Sequence, residues 1–352
     1  MNKNYCRNII FSKTPLKSCL KFEDQFQIYP LEFENAPKFD RATDIPLVIE
    51  YWIDEDEEVE ISDEFESIKE LMKSTTLQEK KRNRVTRLLS VVTNHWCFQY
   101  KEEGVKWGIP FPSDDLSEEE VNSQSAQPII PIYSYPSLTS DLYISAFTEQ
   151  TGPSPEFIPH SIYYVFDPVE NSTGAITFPH TIFHTLDAYF KLDSNTQKKI
   201  DTICHLISCG LELENKMKSL AFVSFVSAIE SLVSIDFKMK KGDVEIDCKR
   251  CQSIKSSPIN CPDCGKPIWG ISAKFKEFLK TYVATSDDSN KKFNRIYRLR
   301  SRIAHNGSLL IGDEFFDWSK SDKSDSDWKI LLEAKQASRL AVVNWLLMNR
   351  NK

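Results

Sequence analysis

The feature that most constrains how this chain can fold is a change of character near residue 185. Before it lie most of the 17 prolines. Short β-branched and aromatic runs such as IPLVIEYWI (45–53) and SIYYVFDP (161–168) are bounded there by Pro or Asp, which reads as strands separated by turns. The proline-rich stretch SAQPIIPIYSYPSLTS (125–140) and the acidic run DEDEEVEISDEFE (54–66) read as loop or sheet edge. A single helix interrupts, TLQEKKRNRVTRLLSVVTNHWCF (76–98), whose Val85, Leu88, Leu89 and Val92 make a stripe suited to docking on a sheet. After residue 185 proline becomes scarce and apolar residues recur at helical spacing. The periodicity predicts helices over about 194–214, 216–237, 271–284, 288–305 and 327–348, with the serine-rich, acidic DWSKSDKSDSDW (317–328) as a flexible loop before the last. The expected fold class is therefore α+β. A strand-rich domain spans 1–185, a helical bundle spans 186–352, and an insertion at 246–268 interrupts the bundle.

Charge divides at the same place. Residues 186–352 carry 28 Lys and Arg against 21 Asp and Glu, which leaves residues 1–185 at −14 within a whole-chain net charge of −7. An acidic front and a basic back point to different partners for the two halves, and a basic half is compatible with a polyanion such as RNA. No unbroken apolar run approaches the roughly 18 residues of a membrane span, and no secretory leader is evident at the N-terminus. The expectation is a cytoplasmic protein without a membrane partner.

The insertion carries CKRCQSIKSSPINCPDCGKP. Cys248 and Cys251 are separated by two residues, as are Cys261 and Cys264. Each pair can wrap one metal with two thiolates, and two pairs complete a tetrahedron. One structural zinc per chain is the expected occupant, because four thiolates leave no position for water. Lys249, Arg250 and Lys255 lie among these cysteines, so the module suits a staple for the excursion or a contact to nucleic acid.

The stretch NRIYRLRSRIAHNG (294–307) breaks the helical pattern in one respect. At about 100° per residue, Phe293, Ile296, Leu299, Ile303 and Ala304 form one stripe, and Arg300 falls inside it, about 40° from Ile296. Arg295, Arg298 and Arg302 lie on the opposite side. Gly307 is a suitable helix stop, which puts His305 in the last turn, where a cation is favoured. Read singly, Arg300 suits a buried ion pair and His305 a capping side chain.

Together they say more. Arg-x4-His at the end of a bundle helix, followed by Asn-Gly, resembles the HEPN superfamily, and YRLRSRIAHNG is most similar to its Apea-like branch. The upstream helix LAFVSFVSAIESLVSID resembles the nearly apolar helix of such domains, which carries one acidic residue before a leucine, here Glu230. The resemblance covers about 186–352 and implies a dimer that cleaves RNA without a metal. Two copies of the motif would face each other across a two-fold axis. It implies His305 as the base for the 2′-hydroxyl, Arg300 as the cation for the developing phosphorane, and Ser301 as a hydrogen bond to phosphate. Ser301 stands where Asn, Asp or His is usual in active members. Glu230 would orient Arg300 or His305, or form a structural ion pair with Arg300. An effector of antiphage defence or a toxin-like system follows from the resemblance, with a phage or other trigger bound by residues 1–185. The alternative is a module that binds RNA or a nucleotide without cleaving it. Ser224, Ser227, Ser231 and Ser234 share one face of the Glu230 helix, which suits close packing within the chain or across a dimer.

Overall fold

A computed structural model describes residues 3–31, 45–61, 68–99, 143–164, 174–239, 243–247, 254–258, 270–310, 313 and 321–350. The proline-rich stretch 125–140 and the four cysteines of the insertion lie outside the described residues. The chain forms two compact units, Met1–Phe183 and His184–Lys352.

The first unit is built on an antiparallel sheet. Strands β1 (Lys3–Ser12) and β4 (Ile45–Asp54) pair along their full lengths, from Lys3 opposite Asp54 to Ser12 opposite Ile45. β2 (Leu20–Phe22) and β3 (Phe26–Pro30) extend the sheet beyond β4, and β5 (Cys97–Phe98) and β6 (Tyr143–Ile144) pair with opposite ends of β1. Helix α1 (Lys69–Val92) lies on the sheet and buries Leu77, Val85, Leu88, Leu89 and Val92, as its apolar stripe requires.

Two expectations for this unit are corrected. α1 does not run on to residue 98. Thr93 closes its last turn onto the Leu89 carbonyl, Asn94 turns left-handed at φ 56°, and Cys97–Phe98 joins the sheet instead. The aromatic run at 161–164 is not a strand: His160–Tyr163 make one helical turn, α2, entered at Pro159. Its tyrosines serve as clamps rather than sheet residues. Tyr164 donates its hydroxyl to the Val92 carbonyl at 2.8 Å, Tyr163 donates to the Thr177 carbonyl at 2.6 Å, and the Asn94 amide donates to the Tyr163 carbonyl at 2.6 Å. β7 (Phe157–Ile158) and β8 (Phe178–Pro179) form a short parallel pair beside them.

A fully buried carboxylate sits in the middle of the large sheet. Glu50 on β4 stands opposite Arg7 of β1 on one side and Gln27 of β3 on the other. It accepts from Arg7 Nε at 2.8 Å, Gln27 Nε2 at 2.7 Å, the Tyr29 hydroxyl at 2.8 Å, and the amide and hydroxyl of Thr148 at 2.9 and 2.7 Å. Burial pushes its proton affinity up, but these donors outweigh burial and hold the carboxyl below its ordinary range.

The second unit is helical: α3 (Ile182–Phe190, which spans the division between units), α4 (Ser194–Leu213), α5 (Lys218–Met239), α6 (Ile271–Tyr282), α7 (Asp287–Asn306) and α8 (Ser321–Asn349). An antiparallel hairpin of β9 (Asp243–Asp247) and β10 (Ile254–Pro258) stands between α5 and α6, where the insertion was expected. The observed helices follow the expected ones to within a few residues, except that α8 begins inside the stretch read as a loop. Its serine-rich, acidic opening suits the positive end of a helix dipole, and apolar periodicity alone misses such a start.

α5 is the axis of this unit and packs on α4, α6, α7 and α8. By length and composition it is apolar enough to cross a membrane, which a search for unbroken apolar runs misses because serines interrupt it. Most of its apolar stretch is buried against its neighbours, as for a core helix. Polar ties fix the bundle. Asp236 accepts from the Tyr282 hydroxyl at 2.7 Å and Trp345 Nε1 at 3.2 Å, and Lys335 of α8 pairs with Glu214 after α4 at 2.8 Å. α4 and α5 meet at Gly210, where an added Cβ would lie 2.5 Å from the fully buried Phe225 ring. Gly210→Ala should therefore cost about 1–3 kcal/mol in overpacking, offset by up to about 1 kcal/mol of helix propensity. The expected net result is a lower denaturation midpoint, with Gly210→Val lower still. An alanine variant as stable as the parent would show that Phe225 can move.

Candidate functional site

The candidate site is carried by α7, so its ends come first. Ser286 caps the N-terminus by accepting from the Ser289 amide at 3.2 Å, and Asp287 and Asp288 occupy the first turn. At the other end Gly307 adopts φ 65° and returns its amide to the Arg302 carbonyl. That left-handed conformation strains any residue with a Cβ, so the helix stops where a glycine stands. The chain beyond is tied to the start of α5. The Leu310 amide donates to Ser219 Oγ at 2.7 Å, and the Asp313 carboxylate accepts from the amides of Lys218 and Ser219 at 2.7 and 2.6 Å. The last turn of α7, with His305, is thereby held between a glycine stop and an anchored return.

Arg300 occupies the apolar stripe as its spacing required. Phe293, Ile296 and Leu299 are buried around it. Its Nη2 donates to Glu230 Oε2 of α5 at 3.0 Å, with the two side chains 25% and 20% exposed. Glu230 therefore contacts Arg300, as both an orienting role and a structural ion pair require. Among the described residues only one of its five guanidinium donors is used, and Nε is buried without a hydrogen-bond partner. The stripe then opens toward the end of the helix: Ile303 is half-exposed, Ala304 is exposed and Leu309 is 48% exposed. In one chain the expected apolar face therefore stops short of its last turn.

His305 is exposed and Ser301 half-exposed. Helical geometry turns His305 about 140° from Arg300, so a single α7 does not present the two on one face. Ser301 and His305 are four residues apart and are neighbours on the helix surface. One chain thus brings Arg300 and Glu230 together, and separately sets Ser301 beside His305. Arg298 and Arg302 are exposed on the His305 side.

A cavity of about 290 Å³ opens between α4 and α5, lined by Lys199, Thr202, Ser231, Ser234, Ile235 and Lys238. Two of the four serines noted above line it, and the other two, Ser224 and Ser227, are half-exposed. In the sequence its only trace was polar letters on otherwise apolar helices, because the lining comes from two elements. Cys248, Cys251, Cys261 and Cys264 lie outside the described residues; among the described residues no group of three or more His, Cys, Asp or Glu side chains is placed to hold a metal. No protein-family model, curated protein or solved structure matches the chain.

Proposed function

We propose that the protein is a metal-independent endoribonuclease of the HEPN type that acts as a homodimer through its helical unit. The observation that carries this reading is Arg300. A permanent cation stands in the core stripe of α7, held by one hydrogen bond to Glu230 with its Nε unpaired among the described residues, on the helix whose anchored last turn exposes His305. A guanidinium with donors to spare is equipped to grip phosphate, and an imidazole in a fixed last turn is equipped to move a proton. Their separation around the helix supports a composite site in which a second copy of the chain supplies the complementary group. The uncovered Ile303, Ala304 and Leu309 give that copy an apolar edge to cover.

In this reading His305 takes the proton of a ribose 2′-hydroxyl, and the oxygen attacks the adjacent phosphorus. Arg300 balances the charge that builds on the phosphorane, with Ser301 donating to a phosphate oxygen. The bond from phosphorus to the 5′-oxygen breaks, and the leaving oxygen takes a proton from the second copy's imidazolium or from water. Glu230 positions Arg300. The product ends are a 2′,3′-cyclic or 3′-phosphate and a 5′-hydroxyl. A cytoplasmic effector of antiphage defence or of a toxin-like system, with a trigger bound by the N-terminal unit, is the setting that the resemblance to the HEPN superfamily suggests.

Purified protein incubated with RNA in EDTA tests the reading. Cleavage should persist, and RNA carrying a single 2′-deoxy substitution at the cut site should resist. Equal cutting of that substrate would sink the mechanism. RNA binding without cleavage would leave a binding module in its place.

Zinc belongs to the same proposal as a structural ion held by Cys248, Cys251, Cys261 and Cys264, with no part in cleavage. The four thiolates are the donor set a closed zinc site uses. Protein prepared under reducing conditions should contain one zinc per chain, and Cys→Ser changes in pairs should increase protease sensitivity around 245–268. Metal analysis that finds none would remove zinc from the account.

A further inference from the structure

We propose that the outer face of α7, from Lys291 through Arg295, Arg298 and Arg302 to His305, is a track for the backbone of single-stranded RNA, and that Arg298 and Arg302 hold the phosphate beside His305. This rests on the ribonuclease reading and names the residues that bring the substrate to that site.

The five residues follow one another at steps of four, three, four and three. At about 100° per residue they fall within an arc of about 80°, and they climb about 21 Å of helix. All five are exposed. Each neighbours the next on the helix surface, so every step sets like charge beside like charge or beside the imidazole, an arrangement that weakens an isolated helix. Lys291 reaches Asp288 at 3.4 Å at the far end and Arg295 has a partner of its own, while among the described residues no ion pair is found for Arg298 or Arg302. One flank of the stripe carries Asn294 and Ser301, neutral side chains able to hydrogen-bond sugar or phosphate.

The geometry also distributes labour among the arginines. Arg300 points about 180° from Lys291 and is engaged with Glu230, whereas Arg302 stands one turn from His305 on the same side and Arg298 two turns from it. Within one chain, the cations next to the imidazole are therefore Arg302 and Arg298. Arg302 also supplies the carbonyl that closes the Gly307 cap, so its backbone position is set by the helix stop. A row of forked cations at regular intervals matches a backbone of regularly spaced phosphates, and the track carries no Phe, Tyr or Trp that would favour stacked bases. Sequence-independent binding follows.

The test uses full-length protein and a fluorescein-labelled 2′-O-methyl RNA oligonucleotide, which binds but has no 2′-hydroxyl to attack. Arg298→Ala with Arg302→Ala should weaken binding at least about tenfold at moderate salt and should flatten the plot of log affinity against log salt by about 1.4, since each single-strand phosphate contact contributes about 0.7. Lys198→Ala, the same charge change at an exposed position of α4, should change the slope little. Should the double variant fail to fold, Arg298→Gln and Arg302→Gln taken singly should each flatten the plot by about 0.7, half of that change. An unchanged slope, an equal loss with Lys198→Ala, or equally tight binding of a polyglutamate peptide would overturn the proposal. Because the probe cannot be cut, intact binding by a protein that never cleaves RNA would refute the nuclease and leave the track standing. Cleavage that survives the double substitution with unchanged KM would do the reverse.

Discussion

His305→Ala should lower the rate of RNA cleavage by about a hundredfold to ten-thousandfold, the range for losing a general base. Arg300→Ala should cost about a hundredfold to a thousandfold, the range for losing a fixed partner of a developing oxyanion. Because both groups serve one step, the double variant should be little worse than the poorer single one. The two substitutions differ in their structural consequences. His305 is exposed, so its removal should leave the melting temperature unchanged. Arg300 is paired with Glu230, but both side chains keep access to water, so that pair is worth no more than about 1 kcal/mol to the fold. A large loss of cleavage with a small loss of stability is the signature expected of Arg300. Arg300→Lys separates the roles further, since it keeps the charge and discards the fork. If Arg300→Ala loses activity only in proportion to its unfolded fraction, the arginine is structural and the mechanism is wrong.

Glu50→Leu should destabilise the N-terminal unit by about 3–5 kcal/mol, the cost of removing one member of a buried ion pair. The substitution strands Arg7 and Gln27 together with the hydroxyls of Tyr29 and Thr148, all of which now converge on one carboxylate. Glu50→Gln should cost less, because the amide keeps the shape and one acceptor oxygen. The pH dependence has a definite sign. The folded carboxyl is held below its ordinary range, so its stabilising contribution is complete above the unfolded value, about 4.3. It is lost as pH falls through the lower folded value. The protection of the β1 and β4 amides against hydrogen exchange, relative to their intrinsic rate at each pH, should therefore fall below about pH 4 in the parent protein. In Glu50→Gln those amides should respond much less over the same range. Identical acid profiles for the two would show that Glu50 does not govern this loss.

Much of the helical unit was legible in the sequence because helical order is local. Apolar spacing placed α4 to α7 within a few residues, and Gly307 marked where α7 stops. Arg300 could be recognised as misplaced because a stripe is defined by its own neighbours. The sheet unit was less legible. The run at 161–164 has strand composition but folds as a helical turn, because the hydroxyls of Tyr163 and Tyr164 find carbonyls at the end of α1 and near β8. The helix read to residue 98 ends at Val92, because Cys97 and Phe98 pair with β1, a strand more than eighty residues earlier.

The division of labour between sequence and structure follows from range. Composition and periodicity by themselves determined the α+β class, helices α4 to α7, the cation in the stripe and the histidine in the last turn, since each depends on residues within a few turns. Only the tertiary structure decided that Glu50 meets Arg7 and Gln27 across two strand pairs, and that Glu230 meets Arg300 across 70 residues of chain. It also decided that the end of α7 is anchored at the start of α5. These contacts are set by how buried elements pack and which donors then remain to be satisfied, and one-dimensional spacing holds no record of either.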